Sequence, residues 1–185
     1  MAKRNVFKIT LSGLLIAIGI LIPIFSPVKI LIEPASFTLA SHVPIIIAMF
    51  ISPAMAIAVA IGTTIGFFLG GFPLVVVFRA ASHILFLTLG SLYIRKYPLL
   101  YKSGIKFRVF SFVIGLIHAF GEIVVASIFY LSGNMLFNLK EYSYLVLLLV
   151  GLGTVIHSMV DFELANVVML ALRKSKHLVS PGQDS

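Results

Sequence analysis

The sequence predicts an all-α integral membrane protein, a bundle of six transmembrane helices with both termini in the cytoplasm. Of its 185 residues, 60% are hydrophobic and 11% are charged, and the mean hydropathy is +1.13. A soluble domain of this size leaves too much surface exposed to hide so many apolar side chains. The apolar residues also form runs close to the roughly 20 residues that a helix needs to cross a bilayer.

These runs predict one membrane domain, residues 1–174, followed by a polar tail, residues 175–185. The first run resembles a signal peptide, but no small-residue cleavage site follows it, so we interpret it as a retained helix. Pro53 lies where a helix tolerates proline, in the first turn. The predicted helices cover residues 6–24, 36–52, 53–71, 74–95, 108–132 and 143–172.

The segment between the first two helices, residues 25–41, is predicted to fold as a cap. It is apolar, but Pro27, Pro34, Lys29 and Glu33 interrupt it. These interruptions argue against a span, and the apolar residues argue against a free loop. We therefore expect a folded, re-entrant cap at the membrane surface.

Basic residues give the predicted orientation. They cluster before helix 1, between helices 4 and 5 and after helix 6, whereas the opposite loops hold only Lys29 and Lys140. Because Lys and Arg accumulate in cytoplasmic loops, both termini are predicted to be cytoplasmic and the cap extracellular. The six predicted spans agree with this, because an even number puts both termini on the same side of the membrane.

Several function classes are disfavoured. The net charge of +8 lies in short loops rather than on one face, so we expect no nucleic-acid partner. Absence of cysteine excludes disulfides, thiolate metal sites and cysteine catalysis. No GxxxxGK[ST] motif is present, so the chain does not hydrolyse ATP by a P-loop. It also lacks an obvious inverted repeat, so a transporter of this kind would need energy from a partner.

Small residues recur on two predicted helices. In helix 3 they stand at every fourth position, which places them on one face and lets another backbone approach closely. We interpret that face as internal packing, with a subunit interface as the other possibility. Gly13 and Ala17 form a shorter version in helix 1, which can equally face a partner protein. The helix 3 residues are Ala54, Ala58, Gly62, Gly66 and Gly70.

A few ionisable residues lie within the predicted spans. An arginine at the centre of a span costs about 2.5–3.5 kcal/mol, so such residues have a function or a partner. Counting from helix ends places Arg79 in the outer leaflet and most of the others near mid-depth. Three pairs share a helix face at i,i+4 spacing, namely Arg79–His83, His118–Glu122 and His157–Asp161. Glu163 completes the set.

Four interpretations fit these residues. They can bind a metal, relay protons, satisfy one another, or line a ligand pocket between helices 4, 5 and 6. The histidines belong to separate helices without HExxH spacing, so we expect no metal. We favour the ligand pocket, with Arg79 as the anion contact, because a guanidinium presents a planar fork suited to a carboxylate. Tyr130 and Asn134 end helix 5 at about that level, although the tyrosine can also be an interfacial anchor.

The chain resembles the substrate-binding S components of energy-coupling factor (ECF) vitamin transporters over nearly its whole length. The likeness lies in size, helix number, basic cytoplasmic loops, the long connection after helix 1 and the small-residue motif of helix 1. Two stretches look most like the niacin-specific members, LLIAIGILIPIFSPVKILIEPASFTLASHVPIIIAMFISP and GTTIGFFLGGFPLVVVFRAASH.

The resemblance implies a multi-pass protein of the bacterial cell membrane that binds one vitamin from outside with high affinity. It implies no catalysis and no cofactor in this chain. A membrane-embedded T component and two ATPase subunits, which hydrolyse ATP, would complete the importer, and the S component would topple to release its cargo. The family's AxxxA motif contacts the T component, and here Gly13 stands at the first alanine position and Ala17 at the second.

The resemblance also implies a pocket between helices 4 to 6 under a cap around residues 29–37. Nicotinate, a small aromatic carboxylate, needs a cation, an apolar slot and a partner for its ring nitrogen. Arg79 is predicted to supply the cation, with Phe37, Phe72 or Phe78 against the ring. The predicted substrate-binding residues are Arg79, His83, Glu122, Tyr130, Asn134, His157, Glu33 and Phe37.

Helix 4 offers no carboxylate near Arg79, so its partner is predicted to be Glu33, Glu122 or a bound carboxylate, and we favour the last, with His83 in support. Other functions stay open. The ligand can be another vitamin or precursor, such as pyridoxine, hydroxymethylpyrimidine or riboflavin. The chain can also be a membrane-embedded enzyme using Glu122 or His157 as acid or base, or an assembly factor that binds no small molecule.

Overall fold

The computed structural model describes residues 2–32, 35–133 and 138–174. Helices make up most of it, with one small antiparallel hairpin of strands β1 and β2. A 3₁₀ turn at Leu100–Lys102 precedes α5, and a π-helical stretch, Ser143–Leu152, joins α6 to α7. In chain order the elements are α1 (Ala2–Phe25), β1 (Lys29–Ile32), β2 (Ala35–Thr38), α2 (Val43–Ile51), α3 (Pro53–Leu69), α4 (Leu74–Lys96), α5 (Gly104–Ser132), α6 (Leu139–Tyr142) and α7 (Gly153–Lys174).

Within the described residues, 4 helical segments are long and apolar enough to cross a membrane. They are Asn5–Phe25, Leu74–Lys96, Gly104–Ser132 and Leu139–Leu172. This confirms a helical membrane protein that crosses the bilayer several times. The six-span count and the cytoplasmic termini stay predictions, as does the polar tail, which lies outside the described residues.

Helix α2 begins at Val43, not at residue 36 as predicted from the sequence. Residues 35–38 instead pair with β1 as a strand, which leaves 9 residues for the helix. At about 1.5 Å of rise per residue these cover about 14 Å, less than half of a bilayer core of about 30 Å. Every residue from Val43 to Phe50 is buried. Helix α2 is therefore a core helix, surrounded by its neighbours.

The predicted cap does fold, but as a β-hairpin that the sequence did not indicate. Lys29 pairs with Thr38 and Ile32 with Ala35. Glu33 and Pro34, which follow β1 in the sequence, lie outside the described residues. Pairing the backbone in this way satisfies its N–H and C=O groups, which a proline-broken helix would leave exposed. The hairpin is the one small departure from an all-α fold in the described residues.

The small-residue face of α3 packs inside the molecule. Gly62 lies against Ile16 of α1 and Gly66 against Ile20, and an added Cβ at either glycine would collide with that isoleucine. These contacts support internal packing at these two positions of α3. Gly13 differs, because a Cβ there would meet nothing within 4 Å. Gly13 and Ala17 are both exposed on α1.

Candidate functional site

A cavity of about 1040 Å³ lies beneath the hairpin. Its walls come mainly from α4 and α5, with contributions from α1 and α3, while α7 supplies only His157. Pockets for small ligands have volumes of about 300–1,000 Å³, so this one is large enough for a vitamin. Most of its walls are apolar, and its buried or half-buried charged and imidazole groups lie together on one part of the wall, whereas Lys29 and Glu141 line it elsewhere and are exposed. That part holds Arg79 and His83 from α4, Glu122 from α5, His157 from α7, and His42 from the loop before α2.

Arg79 and Glu122 form a buried ion pair in this wall. Arg79 Nη2 donates to Glu122 Oε2 over 2.7 Å, and the two residues are 5% and 3% exposed. Thr154 Oγ1 donates to the same Oε2 over 2.6 Å. Of the three partners predicted for Arg79, the structure shows Glu122. An intramembrane arginine is expected to be paired in this way.

Glu122 Oε1 faces two histidines from different helices. His83 Nε2 lies 3.3 Å from this oxygen and His118 Nε2 lies 3.4 Å from it. The imidazole ring centroids of His83 and His118 are 4.7 Å apart, with the rings nearly perpendicular. Two of the three predicted i,i+4 pairs are in contact. His118 contacts Glu122, and His157 Nε2 lies 3.4 Å from Asp161 Oδ2. Arg79 and His83 both contact Glu122.

His42 lies at the centre of the histidine cluster, and the sequence analysis missed it. Its ring centroid is 4.8 Å from those of His83 and His118, and 4.9 Å from that of His157. The predicted helix 36–52 contained His42 but gave it no depth or partner. A histidine just before a proline-started helix, in a segment expected to cap a pocket, was the signal that could have identified it.

Asp161 holds His42 and its loop in place. The Asp161 carboxylate accepts from the backbone N–H groups of Ala40 and His42, each over 2.9 Å, and contacts His42 Nδ1 at 3.1 Å. Asp161 is fully buried. Ala40 has a positive φ of 66°, a left-handed conformation that costs a non-glycine residue roughly 1–2 kcal/mol. These hydrogen bonds therefore stabilise an unfavourable turn beside the cavity.

The structure brings most of the predicted substrate-binding residues to one cavity. Arg79, His83, Glu122, Tyr130, His157 and Phe37 all line it. Tyr130 donates to the carbonyl of Asn138 over 3.4 Å. Glu33 and Asn134 lie outside the described residues.

The aromatic wall differs in part from the sequence-based expectation. Phe37 and Phe72 line the cavity, and the Phe37 ring lies 5.5 Å from that of His157. Phe78 does not line it, since this side chain is 53% exposed and packs against Phe129. A second cation, the exposed Lys29 of the hairpin, also reaches the cavity.

Two groups of side chains have the chemistry and spacing of metal ligands. One is His42, His83, His118 and Glu122, and the other is His42, His157 and Asp161. Within each group the candidate ligand atoms lie within 4.8 Å of one another. Imidazole and carboxylate are ligands for zinc and other first-row metals. The separate positions of these histidines in the sequence concealed this arrangement.

Comparison with known proteins identifies a relative. Over 164 residues the chain is 42% identical to the niacin transporter NiaX of Lactococcus lactis subsp. cremoris, and the match covers 88% of this chain and 73% of the relative. No protein-family model and no solved structure matches the chain.

The match shows the class and the family of this protein. The relative is a transporter, and the described helices are apolar enough to cross a membrane, so the chain is a multi-pass protein of the cell membrane that takes part in transport and is not an enzyme. The resemblance to the niacin-type S components is confirmed. With this identity over most of both sequences, the chain belongs to the family of the niacin transporter NiaX.

Proposed function

We propose that this protein binds nicotinate as the S component of an ECF-type importer. The observation that carries the proposal is the buried Arg79 on the wall of a vitamin-sized cavity beneath the hairpin. The relative of this protein, NiaX, is named as a niacin transporter. One guanidinium carries five N–H donors, so it can bind a second carboxylate beside Glu122.

The rest of the cavity suits a pyridine ring. Phe37 and Phe72 offer apolar faces, while His83, His157 and Tyr130 offer hydrogen-bonding groups for the ring nitrogen. A small apolar slot with a few polar groups is the usual build of a ligand pocket.

Nicotinamide is expected to bind at least about 10-fold more weakly than nicotinate, because a hydrogen bond to a charged group contributes about 1.5–3 kcal/mol and nicotinamide lacks the carboxylate. Calorimetric titration of the purified protein measures both affinities. Equal affinities would contradict the role given to Arg79. Tight binding of pyridoxine, hydroxymethylpyrimidine or riboflavin, with none of nicotinate, would overturn the assignment of the vitamin.

We further propose how the protein is oriented in the membrane and which subunits it works with. The basic residues of the loops would place both termini in the cytoplasm and the hairpin outside, where the cavity receives the vitamin. The chain would then work with a T component and two ATPase subunits that hydrolyse ATP, and would topple in the membrane to release nicotinate. The exposed positions of Gly13 and Ala17 support a docking role for α1.

A Gly13→Leu/Ala17→Leu double variant is expected to lose assembly with the T component while keeping its nicotinate affinity. A Cβ at Gly13 meets nothing within 4 Å, so the larger side chains fit the isolated subunit but block close approach of a partner helix. Co-purification with the T component measures assembly. The control is Gly13→Ala, which recreates the AxxxA motif and should assemble. Normal assembly of the double variant would contradict docking through this face.

A further inference from the structure

We propose that His42, His83, His118 and Glu122 bind one divalent transition-metal ion, for which zinc is the best-suited probe. The ion would lie in the cavity wall, since three of these residues line the cavity and His118 lies directly behind them. We further propose that the ion takes the carboxylate of the substrate as a fifth ligand. This second part rests on the proposed function, whereas the metal site rests on the cluster alone.

The spacing of the ligand atoms is close to that of a zinc site. Zinc bonds to nitrogen and oxygen are about 2.0–2.1 Å, so tetrahedral ligand atoms lie about 3.3–3.4 Å apart. Glu122 Oε1 is 3.3 Å from His83 Nε2 and 3.4 Å from His118 Nε2. All four ligand atoms lie within 4.8 Å of one another, so side-chain adjustments of about 1 Å would complete the site.

Two of the histidines have partners that orient them. His42 Nδ1 lies 3.1 Å from Asp161 Oδ2, and His118 Nδ1 lies 3.3 Å from Ser158 Oγ. In metal sites the ligating histidine typically uses one ring nitrogen for the metal and the other for a carboxylate, carbonyl or similar partner. In both residues, therefore, Nε2 is the nitrogen for the metal.

His118 provides an independent indication that a ligand is bound. The residue is 2% exposed, and its Nε2 makes no hydrogen bond within the described residues although it lies close to Glu122. A buried polar atom without a partner costs about 1–3 kcal/mol. A metal bond to Nε2 would satisfy it.

The buried charges also favour a dication when the substrate is present. Arg79 carries one positive charge, while Glu122 and Asp161 carry one negative charge each. A second carboxylate on Arg79 would leave two uncompensated negative charges within the membrane, where unpaired charge is costly. A dication bound by neutral imidazoles brings the net charge of these groups and the substrate to zero. The carboxylate would then contact Arg79 with one oxygen and the metal with the other, as zinc can expand to five ligands.

Zinc titration of the untagged, metal-free protein tests the metal site without substrate. We expect one zinc per chain, and cobalt(II) should give the visible spectrum of a nitrogen-rich site. His42→Asn and His118→Asn should each weaken zinc binding by more than about 100-fold, since loss of even an orienting partner costs about 10–100-fold. If either variant fails to fold, His83→Asn replaces it and should weaken zinc binding in the same way. The matched control is His177→Asn, outside the described residues, which should bind zinc normally.

Nicotinate titration in the presence of a chelator tests whether the substrate binds the metal as a fifth ligand. Removing zinc is expected to lower nicotinate affinity at least about 10-fold, and nicotinate should change the cobalt spectrum. No zinc binding by the wild type, or wild-type zinc affinity in His42→Asn and His118→Asn, overturns the metal site. Zinc binding that leaves the affinity for nicotinate unchanged overturns the fifth ligand. Failure to bind nicotinate with or without zinc overturns the proposed function and leaves the metal site standing.

Discussion

Arg79→Ala is expected to lower the affinity for nicotinate by about 100-fold or more, because truncating one partner of a buried charge pair costs about 2–5 kcal/mol. The guanidinium is the buried cation of the cavity wall, 5% exposed, and its pairing with Glu122 fixes its orientation. Calorimetry on purified protein gives the affinity. Arg79→Lys should recover only part of it, since an ammonium lacks the planar fork that matches a carboxylate.

Two controls separate this role from a loss of folding. Arg79→Gln/Glu122→Gln removes both buried charges, so it should fold but bind nicotinate poorly. Lys29→Ala removes the exposed cation of the hairpin and should change affinity little. Wild-type affinity in Arg79→Ala, or a larger loss in Lys29→Ala than in Arg79→Ala, would show that the carboxylate binds elsewhere.

Asp161→Ala is expected to lower the free energy of unfolding by about 2–6 kcal/mol, because two half-buried backbone N–H groups lose a carboxylate acceptor at about 1–3 kcal/mol each. These groups belong to Ala40 and His42, so the loop beside the cavity should also become disordered and nicotinate binding should weaken. Thermal unfolding and calorimetry of the variant measure the two effects.

Glu163→Ala, on the same helix, is the matched control for this effect. Its carboxylate pairs with Arg108 at 3.3 Å, but the two side chains are 46% and 68% exposed. An exposed pair contributes only about 0–1 kcal/mol. If Asp161→Ala were as stable as Glu163→Ala, the carboxylate of Asp161 would not be holding the loop.

Hydropathy and charge predicted the long helices well because the bilayer imposes length and polarity on any span. Helix α4 was expected at 74–95 and runs from Leu74 to Lys96. The same reasoning placed a helix at 36–52 and missed the hairpin, since apolar residues in a short segment suit a strand as well as a helix. Only pairing with β1, through Lys29 and Thr38, distinguishes the two.

The site was predicted in part, because sequence periodicity relates residues within one helix and says little about contacts between helices. The i,i+4 pair His118–Glu122 was therefore found, whereas the contact from Thr154 to Glu122 was not. Thr154 follows the π-helical stretch Ser143–Leu152, which no sequence pattern indicated, and such stretches are frequent at functional sites. His42 was missed for the same reason, since its partner Asp161 is 119 residues away.

Mass spectrometry of the small molecule that co-purifies with the protein tests the central claim most directly. Protein purified without added ligand should release nicotinate in stoichiometric amount. Arg79→Ala, purified in parallel, should release little or none. Recovery of pyridoxine, hydroxymethylpyrimidine or riboflavin from the wild type, or of equal nicotinate from both proteins, would contradict a nicotinate pocket built around Arg79.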